Sequence, residues 1–206
     1  SMLITYQTGY VGLHRRGQLK AGETLLVHAG AGGVGTAAIQ LGKAAGARVI
    51  ATAGGPEKVQ VCRDLGADVV IDYNAEDFVA VVKDVTEGRG ADVIYDSVGG
   101  DVFDKSRKCI AFEGRIIVVG FAGGRIADAP TNHALVKNYA VVGLHWGLYR
   151  KHDPAVIPTT HAALVELWQQ GLVDPLVGAE LPMAEAPSAL TRLGDRGTIG
   201  KVVLAP

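Results

Sequence analysis

Residues Thr24–Ala38 read TLLVHAGAGGVGTAA: an apolar run, then four glycines within six residues, then small residues suited to a helix. Glycine costs backbone entropy on folding and gives nothing to pack, so this concentration needs a local reason. Gly30-Ala31-Gly32-Gly33-Val34-Gly35 fits G-x-G-x-x-G between a predicted strand and a predicted helix. In that setting one glycine permits a tight turn, one lets backbone N–H groups approach a pyrophosphate, and one lets the helix pack close to the strand. The helix start then offers free N–H groups and the positive end of its dipole to the phosphates. No Gly-Lys-Ser/Thr follows the glycines, so the loop lacks the lysine of a triphosphate-binding P-loop.

The surrounding pattern repeats. Short, nearly all-apolar runs predict strands at Thr24–His28, Arg48–Thr52, Val69–Asp72, Val93–Asp96, Arg115–Val119 and Ala140–His145. Such runs suit strands covered on both faces. Helices are predicted at Gly33–Ala45, Glu57–Leu65, Ala75–Val85, Val102–Cys109, Thr131–Lys137 and Pro154–Gln170, with a further helix before Gly22. GADVVID and GADVIYD, beginning at Gly66 and Gly90, each put a helix-ending glycine before a strand. The expected fold class is α/β, a doubly wound Rossmann-type parallel sheet of about six strands with helices on both faces. Residues 1–171 are assigned to this domain and its leading helix. Residues 172–206, with Pro175, Pro182, Pro187 and a last apolar strand at Lys201–Leu204, read as too irregular for another β-α unit.

The choice of dinucleotide follows from charge. NAD-binding domains place an acid at the end of the second strand to hold the ribose 2′-hydroxyl. No acid occurs between Thr24 and Pro56, whereas Lys58 opens the next helix and Tyr73 ends the third strand. That arrangement favours the 2′-phosphate of NADP(H). The net charge of −1 gives no basic surface for nucleic acid or anionic membranes. Cys62 and Cys109 stand alone, without metal-ligand spacing, and read as buried thiols in a reducing, cytoplasmic setting. No apolar run has membrane-spanning length. His28, His133, His145, His152 and His161 read as core or surface histidines rather than ligands.

The segments AGETLLVHAGAGGVGTAAIQLGKAAGARVIATAGGPEK, LGADVVIDY, DVIYDSVGG, GRIIVVGFAGG and GTIGKVVL together resemble the quinone oxidoreductase (zeta-crystallin-like) branch of the medium-chain dehydrogenase/reductase superfamily. The resemblance runs through essentially the whole chain in order. It implies a zinc-independent, NADPH-dependent oxidoreductase that transfers hydride to a quinone or activated alkene. By position it implies Gly32, Gly33 and Val34 at the pyrophosphate, and Gly54, Lys58, Tyr73 and Arg196 around the 2′-phosphate. Ser97, Val98, Gly99, Gly120 and Phe121 would lie along the ribose and nicotinamide, with Thr8 near the carboxamide. Phe121 reads equally as a core aromatic. The N-terminal GroES-like catalytic domain of that family is absent, so no catalytic side chain is assigned, and residues 172–206 resemble the segment returning to it.

Two other readings stay open: an enoyl-thioester reductase, free-standing or as a module of a larger synthase, and a non-enzymatic NADPH-binding protein. Finally, YAVVGLHWG (Tyr139–Gly147) is apolar, uncharged and free of proline. As an edge strand it invites pairing with a second copy, so a homodimer is expected.

Overall fold

In the computed structural model, which describes residues 2–206, six strands form one all-parallel sheet. They are β1 (Thr24–Val27), β2 (Arg48–Ala53), β3 (Val69–Asp72), β4 (Ala91–Asp96), β5 (Ile110–Val118) and β6 (Ala140–Gly143). Their order is β3-β2-β1-β4-β5-β6, so the order in which strands are laid down reverses between β1 and β4. This is the Rossmann arrangement expected from the sequence. The helices are α1 (Met2–Tyr10), α2 (Gly33–Ala44), α3 (Pro56–Asp64), α4 (Phe78–Val85), α5 (Gly100–Ser106), α6 (Thr131–Lys137), α7 (Tyr149–His152), α8 (Val156–Gln169) and α9 (Ala186–Gly194).

Alternation along each strand builds two cores. Leu25, Val27, Val49, Ala51, Val93, Tyr95 and Ile117 face one side, where they meet residues of α1, α2, α3 and α8. Leu26, Ile50, Ile94 and Ile116 face the other, against Phe78 and Val82 of α4 and Phe103 of α5. The two-residue period of a strand makes this division unavoidable once both faces are covered. Cys62 and Cys109 fall in opposite cores as free thiols. Burial pushes each thiol up to about 12, which leaves both inert at neutral pH.

The glycine loop is held by space more than by handedness. The left-handed turn after β1 is made by Ala29, with φ of 52°. The glycines instead admit close neighbours. A Cβ on Gly30 would meet Cys62 Sγ at 2.8 Å, and one on Gly35 would press into the Ala29 carbonyl and approach Gly30 Cα at 2.8 Å. Gly35 therefore sets how near α2 lies to the end of β1.

The tail differs from its sequence-based expectation. Residues Val177–Pro182 (β7) and Lys201–Ala205 (β8) pair in parallel across α9, which makes a compact β-α-β unit. The prolines do not interrupt it, because Pro182 ends the strand and Pro187 lies in the first turn of α9, where a missing N–H costs nothing. The unit packs on the glycine loop: Gly200 N–H donates to Ala31 O at 2.8 Å, and Gly200 pairs with Gly32.

At the other end of the sheet, β6 is a free edge, but shorter than Tyr139–Gly147. Tyr139 and Leu144 are buried, and the chain turns into a short helical stretch at Trp146. Arg16 Nε also donates to Gly143 O at 3.1 Å and covers one end of that edge.

Gly35→Ala is expected to lower stability by about 1–3 kcal/mol, because the methyl group meets backbone that cannot move without shifting α2. Gly143→Ala, with nothing within 4 Å of its Cβ, is expected to change stability by about 0.5 kcal/mol at most. Urea unfolding curves of the two variants check the contrast.

Candidate functional site: a cofactor cleft at the strand crossover

A cavity of about 590 Å³ opens at the carboxyl ends of β1, β2 and β4, where the sheet order reverses. Open α/β sheets bind ligands at that place because the two flanking loops diverge there. Gly32, at the N-cap of α2, forms part of its floor. No side chain caps this helix and its first turn holds no acid, so its free N–H groups and positive dipole end are available to an anion.

Two cations line the cavity, Lys58 from α3 and Arg196 from the turn between α9 and β8, and no carboxylate does. Lys58 Nζ donates to the Arg196 carbonyl, so the tail is fastened across the cleft beside α3. Arg196 has φ of 57°, a conformation few side chains adopt. Tyr73 lies across Gly54: a Cβ there would come within 2.6 Å of the phenol Cζ. Gly54 is thus needed for the ring to lie flat against the end of β2. The second strand itself carries no acid, but Asp72 of β3 lies beside its end. Its Oδ1 accepts from the N–H groups of Gly55 at 3.1 Å and Asn74 at 3.0 Å, so this carboxylate is engaged in shaping the loop.

The back wall is polar and neutral. His28 is buried, with Nδ1 3.1 Å from Thr52 Oγ1 and Nε2 2.8 Å from Ser106 Oγ. The Ser106 hydroxyl donates its only proton to Val102 O at 2.7 Å, so it faces the imidazole as an acceptor. That network assigns the His28 proton to Nε2 and makes Nδ1 the acceptor of the Thr52 hydroxyl. Burial pushes the imidazole down to about 4, against the opposing pull of the Asp96 carboxylate. Asp96 Oδ1 in turn accepts from the N–H groups of Val98 and Gly99, each at 2.9 Å, and folds the loop after β4. Gly99 has φ of 70°, which its lack of a Cβ allows.

Of the residues singled out in the sequence, Gly32, Gly54, Lys58, Tyr73, Val98 and Arg196 line this one cavity. Ser97 is buried just behind it, 3.5 Å from His28 O. Gly33 lies under the tail, where a Cβ would meet Lys201 Cδ at 2.8 Å, and Val34 packs against the core. Gly99, Gly120 and Phe121 form the adjoining loops, and Phe121 is 41% exposed, which excludes the core reading. Thr8 is buried on α1 outside the cavity lining. The sequence reading missed His28, Thr52 and Thr198. His28 ends the first predicted strand, and that position was its one available signal.

The fold and this cleft define a dinucleotide-binding domain. The chain belongs to the family described as zinc-binding dehydrogenases, which matches residues 33–162, and so to the medium-chain dehydrogenase/reductase superfamily, as the resemblance implied. It is 40% identical over 206 residues to the quinone oxidoreductase-like protein 2 homolog of Nematostella vectensis, covering 99% of this chain and 56% of that protein. Among solved structures, the Escherichia coli quinone oxidoreductase complexed with NADPH superposes with a TM-score of 0.90 at 31% identity, over 98% of this chain and 63% of that one. A mycobacterial protein complexed with NADPH gives 0.91 at 32% identity, over 99% and 62%. The chain thus spans a little over half the length of the curated relative. Although the family description names zinc, no group of three His, Cys, Asp or Glu among the described residues could hold a metal ion.

Because the folded-state value of His28 lies below that of an unfolded histidine, about 6.5, the native state binds fewer protons between these values. Stability is therefore fully present above about pH 6.5 and is lost as the pH falls toward 4. The loss attributable to His28 is about 3 kcal/mol at most. Thermal unfolding measured from pH 7 to 4.5 is expected to show a shallower decline in His28→Gln than in the parent.

Proposed function

We propose that this chain is the NADPH-binding part of a zinc-independent oxidoreductase that transfers hydride to a quinone or another activated alkene. The single observation that carries the cofactor reading is the pair Lys58 and Arg196 at the cleft mouth, with no carboxylate in its lining. The open N-terminus of α2 at Gly32 would hold the pyrophosphate, with Lys58, Arg196 and the Tyr73 hydroxyl around the 2′-phosphate. Gly54 admits the Tyr73 ring. Gly33 and Val34 would join Gly32 at the pyrophosphate, Ser97, Val98, Gly99, Gly120 and Phe121 would flank the path toward the nicotinamide, and Thr8 would lie near its carboxamide. The bound cofactor supplies the hydride; this chain binds it, orients it and keeps water from the cleft. The quinone assignment rests on the relatives named above.

Binding the 2′-phosphate would replace the Lys58–Arg196 carbonyl contact with a charge-assisted one, stronger than a neutral hydrogen bond. Asp72 lies outside the cavity lining, with its Oδ1 engaged by backbone N–H groups. We assign the protein a cytoplasmic setting on its two buried, unpaired thiols. No helix among the described residues is long and apolar enough to cross a membrane.

The expected assembly is a homodimer in which β6 pairs antiparallel with its copy. Val141, 38% exposed, is the centre of the contact, since Arg16 already occupies the Gly143 carbonyl.

Calorimetry is expected to give tighter binding of NADPH than of NADH. Lys58→Ala should weaken NADPH by about one to two decades, the worth of a charge-assisted hydrogen bond, and leave NADH nearly unchanged. Equal affinities of the parent for the two cofactors would overturn the reading. For the assembly, light scattering of Val141→Lys should report a monomer where the parent is a dimer; a variant that stays dimeric excludes β6 as the interface.

A further inference from the structure

A second cavity, of about 380 Å³, lies at the amino-terminal ends of β4 and β5, at the end of the sheet opposite the cofactor cleft. The ends of α4, α5 and α6 bring Lys83, Arg89, Lys108 and Lys137 to its walls, and no acidic side chain lines it. Phe112, 68% exposed, stands in the same lining.

Lysines near helix C-termini are ordinarily explained by the helix dipole. That explanation falls short here. Most of the terminal carbonyls already have local donors: Gly88 N–H on Lys83 O at 2.7 Å, the Thr86 hydroxyl on Val82 O at 2.6 Å, Lys108 N–H on Lys105 O at 2.8 Å and Cys109 N–H on Ser106 O at 3.1 Å. Only Lys137 serves as a cap, reaching Arg107 O at 3.1 Å and Lys108 O at 3.4 Å. Three helix ends amount to about −1.5 charges in total. Arg89 is paired with Asp92, which leaves three lysines without a carboxylate partner among the described residues. The lining of the cavity therefore keeps a net positive charge. Burial pushes the Lys137 ammonium below the usual lysine range, and the neighbouring Lys83 adds to the shift.

We propose that this cavity binds a phosphomonoester dianion, with Lys83, Lys108 and Lys137 around the phosphate and the organic group lying on the Phe112 ring. The cationic lining without an acid favours an anion, the volume accommodates a phosphate with one ring, and the exposed Phe112 offers a stacking face. The site is separate from the glycine loop and does not depend on the cofactor reading.

Phenyl phosphate and inorganic phosphate are suitable probes, followed by backbone NMR at neutral pH on the whole 206-residue chain. Phenyl phosphate is expected to shift the Gly88, Gly90 and Phe112 amides with saturation near or below about 1 mM, and to bind about 2–10-fold more tightly than inorganic phosphate. Phe112→Ala should erase that preference and keep phosphate binding. The double variant Lys83→Gln with Lys137→Gln should weaken both probes by tenfold or more and leave NADPH affinity as in the parent. The proposal fails if these amides do not saturate, if only the Gly32 and Gly35 amides move, or if the double variant binds both probes like the parent. Failure of NADPH binding with intact shifts at Gly88 and Gly90 would count against the cofactor reading alone.

Discussion

The approach of α2 to the end of β1 is the contact on which the rest of the molecule depends. At Gly35 the helix lies so close to the Ala29 carbonyl that no side chain fits between them. That closeness brings Gly32 and the first turn of α2 to the carboxyl edge of the sheet, directly beneath the cleft. Ala29, in the same turn, adopts a left-handed conformation, which costs on the order of 1–2 kcal/mol in a non-glycine residue. The fold sustains this strain because β1 is central and buried on both faces.

Behind the cleft, a neutral polar chain fixes the elements that meet there. His28 directly follows β1, Thr52 belongs to β2 and Ser106 to α5, so one imidazole ties two strands to a helix. Every member of that chain has a partner, as buried polar groups require. The two cations of the lining stand at the mouth, where Lys58 and Arg196 face solvent as well as the cavity. An anion arriving at the cleft meets positive charge at the rim and helix N–H groups at the floor.

The tail completes the site. Without residues 193–198 the cleft would lose one wall and one of its two cations. The β7-α9-β8 unit is positioned by a few long-range bonds: Gly200 to Ala31, Arg196 O to Lys58, and Asp174 to Gln40 and Tyr6. None of these is a feature of local sequence, since the partners lie more than a hundred residues apart.

The sequence by itself determined the sheet and its order of elements. Apolar runs of four to six residues can bury both faces only in a covered parallel sheet, and G-x-G-x-x-G between strand and helix has a narrow physical use. Lys58 and Tyr73 were legible because each sits just after a strand end, and Gly54 only through the family resemblance. Tertiary structure decided the remainder. The prolines of the tail made it look irregular, yet each falls where a missing N–H is harmless, a matter of position within an element that composition does not encode. The β2 segment has no acid of its own, but Asp72 reaches its loop from the neighbouring strand. The β6 edge has no charge along its length, but Arg16, at the end of the helical turns Val11–Arg16 that follow α1, covers part of it. In each case the deciding partner comes from a distant segment, and only packing brings it into reach.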